Sequence, residues 1–383
     1  MKPLRVLICA GEVSGDMHAA ALMRSLRERI AGPVEFRGFG GDAMRAEGAE
    51  LLYHTDRIAI MGITPVIREL PFLLGMIRHM KREMLAWQPD LVLTVDYPGM
   101  NLRLARFAHA HGLKTVHYIC PQVWAWHRGR IPKIARMLDL LLCIFPFEPA
   151  LFQATPLKAL FAGHPLVDRA AETRAAPPAA LPWQGRHRVA LLPGSRAGEI
   201  TRILPRLLAA AALLEARLDN DCSFIIPAPT PRMRALGEAV AAAAPARPQR
   251  LAFIDGQARQ VMLQARAAAV ASGTATLEAS LMRCPTVLVY AASRVTYLAA
   301  RLLVKGVKHL GLANIIAGQE VMPELLQDDF TPERLADLLH RYLTDEPART
   351  ATLQALDATN ARLGAGNASG RAADLIVAEL GLP

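Results

Sequence analysis

The chain has 383 residues, of which 52% are hydrophobic and 20% are charged. This balance supports two domains with large buried cores and excludes intrinsic disorder. Lys and Arg outnumber Asp and Glu by 44 to 34, which gives a net charge of +10 at pH 7 and favours an anionic partner. Because no nucleic-acid-binding motif or basic tail is present, we expect phosphorylated substrates or anionic lipid headgroups, and no nucleic acid.

The first half alternates short apolar strands with helical patterns, which is typical of a parallel sheet covered on both faces. The predicted elements are a strand at 5–10, a helix at Asp16–Glu28, a strand near Val34–Gly38, a helix over 66–87, a strand at Leu91–Val95, a helix at Leu102–His111, a strand at Thr115–Ile119, a helix near Ile131–Met137, a strand at Leu140–Phe145 and a helix from Glu148.

A segment rich in Pro and Ala then predicts an interdomain linker at 169–186, between an N-terminal domain at 1–168 and a C-terminal domain at 187–383. The second half has predicted strands at 188–192, Ser223–Ile226, Leu251–Ile254, Ala268–Ala271 and Thr286–Val289, and the last hundred residues are predicted to be nearly all helical. The expected fold is α/β, with two Rossmann-like doubly wound domains facing a cleft. The helical C-terminus would pack on the N-terminal domain or on a partner chain, which leaves a homodimer open.

The cysteines have no CxxC spacing and lie mostly in apolar runs, which indicates buried thiols in a reducing compartment rather than a metal site or disulfide framework. They are Cys9, Cys120, Cys143, Cys222 and Cys284. Met1 leads directly into the first strand, and no window reaches the roughly 18 apolar residues needed to span a bilayer. We therefore expect a cytoplasmic protein.

Each half begins with the same strand–glycine loop–helix pattern. Residues 5–16 align without a gap with residues 188–199, so that Gly11 matches Gly194 and Asp16 matches Glu199. The N-terminus of a helix suits a phosphate, and a guanidinium such as that of Arg196 can bind two phosphate oxygens. In the second loop, Ser195 and Arg196 are therefore candidate phosphate-binding residues.

The strongest acid–base candidate is Asp96, which follows a buried apolar strand and precedes Pro98-Gly99. Partial burial at the end of a rigid strand would raise the pKa of its carboxyl toward that of a working general base. The alternative is that Asp96 caps the helix expected from Asn101.

Glu12 and Ser14, in the first glycine loop, are candidate contacts to a substrate hydroxyl or phosphate. For Glu12, a solvated loop position is an equal alternative.

A third loop, after the predicted strand 268–271, begins a helix with small and hydroxylated residues. Ser272, Gly273, Thr274, Ala275 and Thr276 leave room for a pyrophosphate against the helix N-terminus. Glu278 could accept a hydrogen bond from a ribose hydroxyl, or could instead cap the helix.

Two further patterns have less definite interpretations. Trp124 and Trp126 lie in a loop after a strand and either line an apolar or sugar-stacking wall or pack between strand and helix. The Asp219–Asp221 segment matches an Asp-x-Asp metal motif but lies at a helix–strand turn, where Asp and Asn are ordinary turn formers. We therefore predict no metal ion and no cofactor.

Taken together, these stretches resemble the lipid-A-disaccharide synthases, a family of inverting glycosyltransferases. The segments that carry the resemblance are Ala10–Asp16, Met61-Gly62, Val95–Pro98 with Asn101, His117-Tyr118, Pro121–Trp126, Gly163–Pro165, Leu191–Arg196, Ala271–Glu278 and Asn314–Gly318. They follow one another in family order to about residue 330. The resemblance implies a GT-B fold with an acceptor half followed by a UDP-sugar half.

The resemblance also implies a reaction and roles. UDP-2,3-diacylglucosamine would glycosylate 2,3-diacylglucosamine 1-phosphate (lipid X), giving a β-1,6-linked disaccharide 1-phosphate and UDP. Asp96 would be the base, Arg196 would bind phosphate, Glu278 would face the ribose and Asn314 would belong to the donor site. Some members have a second Asp where this chain has Gly99, so Asp96 would act alone.

Because the implied substrates carry acyl chains, we expect the protein to bind a membrane surface. The helix over 66–87 has a core-like apolar stripe, but Phe72 and Met76 lie off it, beside basic residues. We expect these two side chains, with Trp124 and Trp126, to contact acyl chains at the anionic inner leaflet, and the protein to associate peripherally with the inner membrane. An equal alternative is that the helix covers the sheet and that its basic face is solvated. Two alternatives remain: a UDP-N-acetylglucosamine 2-epimerase on the same fold, and a basic noncatalytic nucleic-acid- or membrane-binding module.

Overall fold

A computed structural model describes residues 2–58, 63–125, 128–292 and 308–382, with the backbone alone over 63–69. The chain divides into two compact units. Unit 1 comprises Met1–Pro165 and Leu363–Pro383, and unit 2 comprises Leu166–Arg362. The segment 169–186, expected to be a linker, starts inside a helix, and the last helix belongs to unit 1 rather than to unit 2.

Unit 1 is built on a seven-stranded parallel sheet with the spatial order β3-β2-β1-β4-β5-β6-β7. The strands are β1 (Leu4–Ala10), β2 (Val34–Gly40), β3 (Glu50–His54), β4 (Leu91–Val95), β5 (Thr115–Tyr118), β6 (Leu140–Cys143) and β7 (Lys158–Phe161). The helices are α1 (Val13–Arg29), α2 (Asp42–Ala46), α3 (Ile63–Trp87), α4 (Pro98–Ala110), α5 (Ile131–Ala135) and, at the end of the chain, α14 (Ala368–Leu380).

The continuous apolar sequence of β1 follows from burial of both faces of the sheet, because successive side chains point to opposite sides. Val6 and Ile8 pack in a core that includes residues of α1 and α14. Leu7 and Cys9 pack on the other side, in a core that includes residues of α3 and α4. All five cysteines are free and buried, as predicted.

Unit 2 repeats the architecture with a six-stranded parallel sheet of order β10-β9-β8-β11-β12-β13. The strands are β8 (His187–Leu192), β9 (Cys222–Ala228), β10 (Leu251–Asp255), β11 (Ala267–Ala271), β12 (Thr286–Tyr290) and β13 (Glu324–Leu326). The helices are α6 (Pro165–Ala175), α7 (Ala197–Arg217), α8 (Pro231–Ala243), α9 (Ala258–Gln264), α10 (Thr274–Leu281), α11 (Leu312–Ala317), α12 (Pro332–Thr344) and α13 (Glu346–Ala361).

The prediction of two doubly wound α/β domains is confirmed. Three short strands, β3, β7 and β13, were not predicted. The helix expected from Leu102 begins at Pro98, and the helix expected from Glu148 is a 3₁₀ turn at Pro149–Phe152. The turn at Asp219-Asn220 has two consecutive left-handed residues, with φ of 49° and 59°, as expected for turn formers. Within the described residues, no helix combines the length and apolarity needed to span a bilayer.

Candidate functional site

The strand order of each sheet reverses direction next to its first strand. In unit 1 the reversal separates β1 from β4, and in unit 2 it separates β8 from β11. Loops that leave the carboxyl ends of such strands diverge to opposite faces and open a crevice for ligands. Residue pairing brings the first glycine loop beside Asp96, since Ala10 pairs with Val95, and the second beside Ser272, since Leu192 pairs with Val270.

Unit 2 has a pocket of about 780 Å³ at its switch point. Seven of the nine residues predicted to bind UDP line this pocket: Ser195, Arg196, Ser272, Gly273, Thr274, Ala275 and Glu278. They come from two loops separated by nearly 80 residues, which only the pairing of β8 with β11 places side by side. The pocket has the size range of small-ligand sites.

The glycine loop of this pocket is held by its own helix. The Glu199 carboxylate, on the first turn of α7, accepts hydrogen bonds through Oε2 from the backbone N–H groups of Ser195 (3.0 Å) and Arg196 (3.3 Å). Gly194 has φ of 109°, and a Cβ there would lie 2.3 Å from Glu199 Oε2, so only glycine fits. These two amides are therefore occupied rather than free, which corrects the expectation of an open anion-binding loop. The guanidinium of Arg196 remains exposed, with its Nη1 3.5 Å from Glu199 Oε1.

The loop after β11 leaves its helix start open. Gly273 precedes α10 with φ of 153°, and Thr274 and Ala275 provide the first N–H groups of the helix, which have no partner within it. Thr276 is buried, and its hydroxyl donates to the Gly273 carbonyl at 2.8 Å. Thr276 thus stabilises the start of the helix through a backbone carbonyl, caps none of its N–H groups, and does not line the pocket.

Glu278 is one turn further along α10 and is not a helix cap. Its Oε1 accepts from Arg259 Nη1 at 3.1 Å, while Arg259 Nε donates to Thr173 Oγ1 at 3.1 Å. Arg259, Thr173 and Gln257 also line the pocket, and sequence reasoning missed all three. Gln257 had a detectable signal, because it follows Gly256 at the carboxyl end of a predicted strand; its φ is 58°.

Asn314, assigned to the donor site by resemblance, is completely buried away from this pocket. Its Nδ2 donates to the Met322 carbonyl and to Glu324 Oε1, and its Oδ1 accepts from the N–H groups of Val321 and Met322. These four bonds use both donors and both lone pairs of the amide. In this conformation Asn314 positions the segment before β13 and has no capacity left for a ligand.

In unit 1, Asp96 and Tyr97 are consecutive non-glycine residues in the left-handed region, with φ of 49° and 47°. Such conformations are strained and persist where surrounding contacts enforce them. Buried Asn101 does so here, because its Nδ2 donates to the carbonyls of Asp96 (2.7 Å), Val95 (3.0 Å) and Cys9 (3.2 Å). Gly11 is required beneath the Tyr97 ring, since a Cβ would lie 2.3 Å from its Cδ1.

Burial raises the pKa of Asp96, against the opposing effect of the Tyr97 N–H. The pKa of Glu12 is also raised, first by partial burial and then by the negative charge of Asp96. The negative charge of Asp96 therefore reaches the Glu12 carboxyl in the first glycine loop. Ser14, on the first turn of α1, is exposed. A partly desolvated carboxylate on a rigid strand end has the character of a general base.

Two of the predicted acyl contacts are wrong. Met76 is 1% exposed and packs in the core with Leu7 and Met80, because it lies on the sheet-facing side of α3. Trp124 is buried against the rings of Phe145 and Phe147.

Phe72 is half-buried, in edge contact with the Tyr53 ring and beneath the Arg57 guanidinium. Trp126 lies outside the described residues. Among the described side chains of α3, the exposed large apolar residues are instead Leu70, at 45%, Leu74, at 37%, and Leu85, at 44%.

Comparison with known structures supports the fold. A putative UDP-N-acetylglucosamine 2-epimerase from Listeria monocytogenes aligns over 98% of this chain and 95% of its own, with a TM-score of 0.66 and 12% identity. The glycosyltransferase of kitacinnamycin aligns over all of both chains, with a TM-score of 0.64 and 16% identity. At such identities the likeness concerns the fold alone, and it confirms a two-domain α/β fold of the GT-B class.

Sequence comparison is more specific. The family described as lipid-A-disaccharide synthetase matches residues 6–376. The lipid-A-disaccharide synthase of Anaeromyxobacter dehalogenans strain 2CP-1 is 40% identical over 97% of each chain. That of Chromohalobacter salexigens is 39% identical over 97% of this chain and 96% of its own. Full-length matches at this identity favour a glycosyltransferase over the epimerase alternative, and the chain therefore belongs to the lipid-A-disaccharide synthase family.

Proposed function

We propose that this chain transfers the diacylglucosamine unit of UDP-2,3-diacylglucosamine to lipid X, forming the β-1,6-linked disaccharide 1-phosphate and releasing UDP. The observation that supports this most directly is the pocket of about 780 Å³ in unit 2, where the start of α10, Arg196 and Glu278 meet. The first two suit a diphosphate, and a carboxylate suits the hydroxyls of a ribose.

Inversion at the anomeric carbon requires a base on the acceptor side and charge stabilisation on the leaving group. Asp96 accepts the proton of the attacking acceptor hydroxyl while the new glycosidic bond forms. The bond to the UDP oxygen breaks, and the charge that develops on the diphosphate is stabilised by Arg196 and by the N–H groups at the start of α10. Glu12 and Ser14 contact the acceptor beside Asp96.

The proposed function includes a membrane-binding surface on unit 1, because both substrates carry acyl chains. Leu70 and Leu74 are exposed on α3 one turn apart, and the exposed Arg78 and Arg82 follow on the same helix. Apolar side chains next to basic ones suit an anionic leaflet. The acyl chains of both substrates then leave the bilayer only in part. The protein acts in the cytoplasm, bound peripherally to the inner membrane.

Incubation of the purified protein with UDP-2,3-diacylglucosamine and lipid X tests the proposal. UDP release and a disaccharide product that both require lipid X are expected, and Arg196→Ala should lower both. An epimerase would instead convert UDP-N-acetylglucosamine without any acceptor. Absence of disaccharide with a folded protein would reject the proposal.

A further inference from the structure

The Arg259–Glu278 pair is a charged contact in the lining of the pocket of unit 2. Arg259 lies on the first turn of α9, and Glu278 lies on α10. The Nη1 of Arg259 donates to Glu278 Oε1 at 3.1 Å, and its Nε donates to Thr173 Oγ1, on α6, also at 3.1 Å. The guanidinium therefore connects three helices that all line one pocket.

Additional contacts fix the Thr173 end of this connection. The Thr173 hydroxyl donates to the Arg169 carbonyl at 2.8 Å, so a lone pair of its oxygen is left to accept from Arg259. The Thr173 carbonyl accepts from Gln260 Nε2 at 3.2 Å, and Arg174 Nη1 donates to the Leu281 carbonyl at the end of α10. Thus α6 is tied to α9 and to α10.

At the other end of the contact, one carboxylate oxygen of Glu278 remains available to a ligand. Its side chain is 18% exposed, and among the residues that the structure describes its hydrogen bonds involve Oε1 alone. Oε2 can therefore accept from a ligand in the pocket. A carboxylate held in one orientation loses less rotamer entropy on binding than a mobile one, which increases affinity.

We infer that Arg259 is a positioning residue that holds Glu278 in the orientation that accepts hydrogen bonds from the cis-diol of a ribose, so that the pocket selects ribonucleoside diphosphates over their deoxy forms. This inference rests on the proposed function. Arginine suits this role because its planar guanidinium reaches two acceptors in different directions, which a lysine ammonium on a flexible stem does not reproduce.

Calorimetric titration with UDP and with 2′,3′-dideoxy-UDP tests the inference. The wild-type protein should bind UDP about tenfold more tightly than the dideoxy compound, as expected for hydrogen bonds to a charged group. Arg259→Met should weaken UDP binding about tenfold and leave dideoxy-UDP binding unchanged, so that the selectivity disappears. Arg259→Lys should not restore it, and Thr173→Val, which keeps the arginine, should lower it in part.

Arg283→Met is the matched control, because it removes another Arg–carboxylate pair of unit 2, to Asp357 at 2.9 Å, outside the pocket lining. It should keep full selectivity. Equal weakening of both ligands by Arg259→Met, unchanged affinity for both, or full rescue by lysine would overturn the inference. If the wild-type protein binds UDP but does not distinguish the dideoxy compound, only this inference fails. If it binds no UDP, the proposed function fails and the inference with it.

Discussion

The strained conformation of Asp96 and Tyr97 positions one carboxylate at the end of β4, and this geometry makes Asp96→Asn a sharp test. Asparagine has nearly the same shape and tolerates the left-handed region, so the fold should persist. Loss of a general base typically lowers turnover by about 100- to 10,000-fold. We expect a loss in this range in the UDP-release assay.

UDP affinity of the same variant, measured by calorimetry, should be unchanged because the pocket with Arg196 lies in unit 2. The wild-type rate should also rise with pH through a pKa above the ordinary range of an aspartate, since burial raises the pKa of Asp96 and only the ionised carboxylate accepts a proton. Near-normal turnover by Asp96→Asn would reject its role as base.

Glu148 gives a second prediction, about stability. It is completely buried behind β6, where Oε2 accepts from the N–H groups of Ile144 and Phe145, and burial raises its pKa from 4.5 to about 7. Between these values the folded state binds one more proton than the unfolded state, so this group makes stability fall as pH rises. The contribution is complete below pH 4.5 and is lost as pH rises through about 7.

Chemical denaturation at several pH values measures this effect. The Glu148 contribution should have a slope of up to about 1.4 kcal/mol per pH unit, and Glu148→Gln should remove it while keeping an acceptor for the two N–H groups. An identical pH dependence in the variant would contradict the assignment.

Much of the pocket was predictable residue by residue, because strand–loop–helix patterns place Ser195, Arg196 and Ser272–Glu278 at the carboxyl ends of strands. The partner of Glu278 was not, because Arg259 reaches both Glu278 and Thr173 only through the packing of α6, α9 and α10. For Asn314, the family resemblance implied a place in the donor site, whereas the fold uses all four of its side-chain hydrogen bonds internally.

At the scale of elements, α3 provides a prediction about membranes. Replacing Leu70 and Leu74 with serine and Arg78 and Arg82 with glutamate should reduce co-sedimentation with anionic vesicles. The substitutions remove exposed apolar area and reverse the charge that attracts the leaflet. UDP binding by unit 2 should be unaffected.

Leu213→Ser provides the control for exposed leucines, because Leu213, on α7 of unit 2, is 37% exposed, as Leu74 is. It should sediment like the wild-type protein. Undiminished vesicle binding by the α3 variant would place the membrane surface elsewhere. Met76 could not serve in this test, since its removal would open a cavity in the core of unit 1.

Strands with long apolar runs were predictable, because a strand that is buried on both faces appears in the sequence as an unbroken run of apolar residues. The missed strands β3 and β7 are mostly half-buried edge strands of four or five residues, and β13 has only three. Their sequences alone do not distinguish them from loops. The start of α4 was misplaced because Pro98-Gly99 suggests a turn, whereas proline also suits the first position of a helix.

The aligned loops also show that an internal sequence repeat does not predict the hydrogen-bond partners of matching side chains. Glu199 binds the amides of its own glycine loop, whereas Asp16, its counterpart, accepts from the N–H groups of Gly41, Ala43 and Met44 and so caps α2. The pattern predicted the same backbone in both halves, but the carboxylates stabilise different loops.

For the whole molecule, the assignment of α14 to unit 1 predicts which half a C-terminal substitution destabilises. Ile376 is completely buried with Val6 and Ile8. Ile376→Ala should cost about 2–5 kcal/mol and speed hydrogen exchange in β1 and α1, but not in β8 and β11.

Leu339→Ala is the matched control, because Leu339 is completely buried on α12 with Val189 and Leu191 in unit 2. Leu339→Ala should speed hydrogen exchange in β8 and β11 and leave exchange in β1 unchanged. Faster exchange in unit 2 caused by Ile376→Ala would instead favour the continuous C-terminal domain that the sequence suggested.

Unit 1 is discontinuous along the chain, and this has a consequence during synthesis on the ribosome. About 200 residues of unit 2 separate its first part from α14. At roughly 5–20 residues per second, translation of that insert takes about 10–40 s. Throughout this interval the nascent first unit exposes the apolar surface of α1 and β1 that α14 later covers, whereas unit 2 is contiguous and can fold as it emerges. Chaperone binding to the nascent chain should therefore concentrate on the first unit and end only after α14 has been released.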